Sequence, residues 1–200
     1  MFYNNPFEAW SGGDSSQSAS VLWQGTNPAP SVFGALPYPT DPSTMASFFF
    51  TAYKPNIFNC TIVGPKSQPC YRIVTDNQMP GYTVVKDAEG KSVSLIEWQQ
   101  TPSLEIRGMV SKQHVKTWLR LSPNRDSRAM DIRGMKYMWV PRDKTINLYA
   151  ASSGSPTFMA RINRANGAIV LEMTSDAMQL GVLEPALTAC LLMQCGRNID

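Results

Sequence analysis

The residues able to do chemistry in this chain are few, and most are basic. Between Arg107 and Lys144 stand ten Lys or Arg residues against Asp126, Asp131 and Asp143. That segment carries +7, so the rest of the 200-residue chain carries −4 within an overall +3. Such asymmetry points to an anionic partner. Lys112, Lys116, Arg120, Arg125 and Arg128 are expected to share a loop and the adjoining strand starts. They form the candidate anion-binding site, for anionic phospholipid or another phosphorylated partner. The competing reading is a solvated strand face. In that reading Arg133, two residues from Asp131, is neutralised on the shared side of a strand. Nucleic acid fits poorly, because Trp118, Tyr137 and Trp139 sit where a core would use them, not on a stacking platform.

Other reactive groups are sparse. His114 is the only histidine, which excludes a His-rich metal site. Flanked by Lys112 and Lys116, it reads as an ordinary surface residue in a loop. Glu97 lies between Ile96 and Trp98 and alternates outward on a strand, so pairing it with Glu105 for acid–base work is not supported. Gly12-Gly13 precedes no strand–helix unit and is no phosphate loop. Cys60, Cys70, Cys190 and Cys195 contain no C-x-x-C and are expected to be free thiols in a reducing cytosol. No catalytic residue, metal or cofactor is expected.

Positioning falls to a short carboxy-terminal stretch. From Pro185 to Gly196 there is no charged side chain, and apolar residues recur on every side. Pro185 suits a first helical turn and Gly196 a C-cap. A helix apolar all round is buried. At this length it cannot span a bilayer, so it is expected to be a core helix.

Upstream, 45–200 is expected to be one β domain. Aromatic and β-branched runs at 47–53, 58–63, 70–75, 82–86, 92–98 and 104–107 are split by Pro and Gly. More follow at 128–133, 135–140, 145–150, 157–162 and 168–173. The segment 111–121 is ambiguous: Ser111 caps one helical turn through Val115 and Trp118, or the region bridges into a short strand. Strands at about ten-residue spacing before an all-apolar helix predict a closed antiparallel barrel of about twelve strands threaded by that helix. Residues 1–44 differ. They are rich in Ser, Gly, Asn and Pro and hold no Lys or Arg. They read as a low-complexity tail, with isolated anchors such as Trp23, Phe33 and Tyr38 lying on the barrel or held by a protein partner. Asn5-Pro6-Phe7 is a candidate recognition peptide. The first residues show no signal-peptide pattern. The expected location is cytoplasmic or peripheral to a membrane.

Several motifs are familiar. Phe58-Asn-Cys-Thr-Ile-Val-Gly64, Leu95-Ile-Glu-Trp98, Trp118-Leu-Arg-Leu-Ser122, Arg133-Gly-Met-Lys-Tyr-Met-Trp139 and Gly196-Arg-Asn198 resemble a basidiomycete (mushroom) family of unknown function. That family is placed near the tubby C-terminal and LURP-one-like barrel superfamily. The resemblance implies a tubby-like barrel, and through tubby proteins and scramblases a role at phosphoinositides or membranes. No lipid-binding motif transfers residue by residue, and fold does not fix function. The leading expectation is a non-enzymatic binding or regulatory barrel. Its alternatives are a small-ligand or catalytic barrel with an open polar cavity, and an interaction module acting through the tail.

Overall fold

Every neighbouring strand pair in this chain is antiparallel, and that regularity dictates where the sheet must stop. The computed structural model describes residues 44–54, 56–151, 155–165 and 167–200. Its strands are β1 (Ala46–Thr51), β2 (Cys60–Val63), β3 (Pro69–Thr75), β4 (Tyr82–Asp87), β5 (Ser92–Glu97), β6 (Ser103–Ile106) and β7 (Val110–His114). One helical turn, α1 (Val115–Trp118), leads into β8 (Arg120–Leu121), β9 (Arg128–Ile132), β10 (Met135–Arg142), β11 (Thr145–Ala150), β12 (Thr157–Ala165) and β13 (Ala168–Met173). Helices α2 (Ser175–Gln179) and α3 (Leu183–Gln194) follow. The thirteen strands make one sheet in which each strand lies beside its sequence neighbours and β1 pairs with β13. Only β7 and β8 are not joined by a ladder.

The sheet is rolled. Laid flat, thirteen strands would span about 58 Å at roughly 4.8 Å per strand. Yet the edge strands are linked by the chain from His114 to Arg120, which reaches at most about 21 Å. The ladders show one large antiparallel sheet and not the expected closure, because the hydrogen bonds stop at a seam between β7 and β8. Parity gives the reason. Alternating around thirteen strands leaves β7 and β8 pointing the same way. Side-by-side parallel strands need a crossover of about a dozen residues, and α1 supplies one turn. The ambiguous segment therefore resolves into strand, turn and strand, with His114 and not Ser111 at the N-cap of α1.

Alternation sets the two faces. Ile146, Leu148 and Ala150 of β11 point inward to the core, as do Ile162 of β12 and Leu171 of β13 opposite them. The β4–β5 hairpin turns as its Asp87-Ala-Glu-Gly90 sequence requires. Gly90 adopts φ +81° and donates its N–H to Asp87 O. Such a conformation costs glycine little.

Helix α3 fills the interior. Every residue from Pro185 to Gln194 is buried. Fully burying one Leu side chain contributes roughly 1.5–3 kcal/mol, and Leu187, Leu191 and Leu192 are all at or below 1% exposure. The helix is held from both halves of the sheet. Thr188 Oγ1 meets Ser94 Oγ of β5 at 3.1 Å, and Arg164 of β12 donates to Gln194 Oε1 at 3.2 Å. Gly196 (φ +69°) ends it as a C-cap glycine should. Helix α2 sends Ala177 into the same core. The tail anchors and Asn5-Pro6-Phe7 lie outside the described residues.

Candidate functional site

The basic candidates fall around the seam, but the structure divides them. Lys112 points outward from β7 and donates to Glu97 Oε1 at 2.6 Å. Glu97 also accepts from Ser103 Oγ and from Gln99 Nε2, each at 3.3 Å. The hydrogen bond from Lys112 holds the Glu97 carboxyl below the ordinary carboxylate value, and the same bond raises the Lys112 ammonium. Glu97 is outward-facing, as its alternation predicts, yet it is nearly covered. Lys112 is thus largely spent on an internal carboxylate.

Lys116 and Arg120 are placed differently. The buried Val115 and Trp118 seat α1, and Trp118 Nε1 donates to Asp131 O at 3.1 Å. This anchoring leaves Lys116 exposed on the turn. Arg120, on the outer side of β8, lies opposite the uncharged Ala129 and is exposed. By contrast, Lys136 faces Asp131 across β9 and β10. Arg125 is exposed in the β8–β9 turn at φ +59°, where Arg125 N donates to Ser122 O at 2.9 Å. Asp126 next to it is held by Ser122 and Ser127.

Arg128 does not join them, which corrects the expectation of five cations on one surface. It is 1% exposed, on the inner side of β9 in line with Met130 and Ile132. Its Nη1 donates to Leu119 O at 3.0 Å and to Asp200 Oδ1 at 2.9 Å, while Nη2 donates to Asp200 Oδ2 at 2.7 Å. This is a bidentate pair with an internal carboxylate. Carrying the alternation of Met130 and Ile132 back by two residues would have found it.

His114 ends β7, on a strand and not in a loop, opposite Ser103 and exposed. Among the described residues no three His, Cys, Asp or Glu side chains are arranged to hold a metal ion. Burial pushes the Cys60 thiol up to about 12 and raises Cys190 as well, so neither is a ready nucleophile.

A rolled antiparallel sheet around a buried helix, with a basic turn at its seam, is the class of architecture defined so far. The chain belongs to the family of unknown function DUF6593, which matches residues 55–194, from the approach to β2 through α3. No curated protein matches it. Among solved structures it is similar to a protein from Arabidopsis thaliana, at 10% identity and a TM-score of 0.42, over 74% of this chain and 96% of that one. No described helix is long and apolar enough to cross a membrane.

Proposed function

We propose that this protein is a non-enzymatic, tubby-like binding barrel that recognises an anionic phospholipid surface through the turn at its seam. The observation that carries the reading is the exposure of Lys116 and Arg120 on α1 and β8. The ion pairs among the described residues, Lys112–Glu97, Arg128–Asp200 and Arg161–Glu172, use neither of them. The helix-filled interior favours binding over catalysis, since α3 occupies the space an internal ligand would need. The tubby-like reading is further supported by the all-antiparallel order of the sheet around α3, with a strand count near the twelve expected. The motifs resembling the mushroom family and the four free thiols support a fungal, cytoplasmic protein working at the membrane periphery.

Co-sedimentation with vesicles containing anionic lipid, at rising salt, tests this. Each exposed cation near such a surface contributes about 1 kcal/mol. Lys116→Ser/Arg120→Ser should therefore weaken low-salt binding by at least about tenfold. Wild-type binding should fall as the Debye length shrinks to about 8 Å at physiological salt. Arg128→Ser should change binding only through stability. Equal binding by wild type and the double variant would reject the seam as the lipid-facing surface.

A further inference from the structure

Where α3 leaves the sheet, the chain lays a cation of its own over two aromatic rings. Phe58, just before β2, and Trp98, just after β5, stand edge to face with centroids 5.3 Å apart and planes at 83°. The Arg197 guanidinium carbon lies 4.4 Å from the Phe58 centroid and 4.7 Å from that of Trp98. Both distances are within the range in which a ring face attracts a cation.

Hydrogen bonds behind the rings hold the Trp98 indole and the Phe58 backbone in place. Trp98 Nε1 donates to Thr83 Oγ1 at 2.7 Å, and Thr83 Oγ1 lies 2.7 Å from Thr75 Oγ1. Thr75 Oγ1 in turn bonds Phe58 O at 3.1 Å, and Thr75 N bonds Asn59 Oδ1 at 3.0 Å. Thr83 is fully buried, whereas Arg197 is exposed. The aromatic pair is thus set into the fold, while the Arg197 side chain over it is exposed. The cation sits on a short segment beyond a glycine with φ +69°.

We infer that Phe58 and Trp98 form a binding notch for a quaternary ammonium group, with Arg197 as its built-in occupant. The indole N–H, the one polar group on either ring, is already committed to Thr83. A primary ammonium seated there would have to give up hydrogen bonds to water without replacement. A quaternary ammonium has no N–H to satisfy, so two π faces are sufficient to hold it. Arg197 tolerates the position because its exposed guanidinium keeps its water.

The test uses the full chain and follows the Trp98 indole N–H by NMR, assigned with Trp98→Phe. Tetramethylammonium chloride is titrated against sodium chloride at equal ionic strength, with tert-butanol as a neutral probe of similar shape. Arg197→Ala, an exposed change, should show a saturable Trp98 shift, with wild type about two- to fivefold weaker because its own cation competes. Trp98→Leu should show no binding heat by calorimetry. Free choline and phosphatidylcholine vesicles then separate a soluble ligand from a lipid headgroup, and saturable binding of either supports the notch. No saturable shift in Arg197→Ala, or an equal shift with tert-butanol, overturns the notch. Equal affinity in wild type and Arg197→Ala overturns the role of Arg197.

Discussion

Arg128 and Asp200 meet in a two-point ion pair, Nη1 to Oδ1 at 2.9 Å and Nη2 to Oδ2 at 2.7 Å. The arginine is almost wholly enclosed and the aspartate 38% exposed. The pair ties the segment beyond α3 to the start of β9 and, through Leu119 O, to the end of α1. Asp200→Ala should lower stability by about 1–3 kcal/mol, the range for losing hydrogen bonds to a buried charged group. Arg128→Met/Asp200→Ala, which removes both charges, should recover part of that loss. Urea unfolding of the three proteins measures it. A change within 0.5 kcal/mol for Asp200→Ala would mean the pair does not anchor the segment.

The interior helix should dominate stability. Leu191→Ala should cost about 2–5 kcal/mol, as large-to-small core changes do, because Leu191 has no exposed surface. Removing the residues after Glu184 should yield insoluble protein. Cooperative unfolding of a soluble truncated chain would contradict a core built on α3.

Lys112 and Glu97 give a pH signature. The Glu97 carboxyl is lowered from its ordinary 4.5, chiefly by the Lys112 hydrogen bond. A group lowered on folding adds stability above its unfolded value and loses it as pH falls through the folded value. Lys112→Met should therefore reduce stability at pH 7 only slightly, since Lys112 is 57% exposed and the pair is screened by solvent. The gap between variant and wild type should close below pH 4.5 as Glu97 protonates. Chemical denaturation at pH 7 and pH 3 tests this, and a gap of equal size at both values would assign the loss to packing.

Gly64 and Cys70 form a close contact. A Cβ added at Gly64 would come 2.5 Å from Cys70 Sγ but 3.8 Å from Cys70 Cβ. Gly64→Ala should therefore cost about 1–3 kcal/mol, as overpacking does, and adding Cys70→Ala should restore most of it. Thermal melts of both variants decide the matter. Failure of the second change to rescue the first would place the strain in the backbone.

Strands with clean alternation were legible from sequence. Thr145–Ala150 and Ala168–Met173 have the bounds expected of them, and Ile146, Leu148 and Ala150, like Ile169, Leu171 and Met173, join the core. Strand β7 was not legible. Val-Ser-Lys-Gln-His has one apolar residue, and its pairing with β6 shifts register between Leu104 and Ile106. Helix α2 was missed although Thr174 caps it, accepting from Ala177 N. Five residues show too little periodicity to announce a helix. At the candidate site, the sequence located the basic segment but not the fate of each charge. Lys112 and Arg128 are paired with Glu97 and Asp200, which lie 15 and 72 residues away along the chain. Linear spacing carries no trace of such partners.

The β1–β13 ladder sets Ala46 opposite Met173, and this has a consequence for biosynthesis. Each other ladder joins strands adjacent in sequence, so the stretches β1–β7 and β8–β13 can zip locally as the chain emerges. Strand β1 must wait for β13. At roughly 5–20 residues per second of synthesis the delay is about 6–25 seconds, during which the edge bearing Phe48 and Phe50 has no partner. Helix α3, made after β13, then has to enter a sheet that is still open. Assembly of this chain is thus a late, non-local event, of the kind that folds slowly.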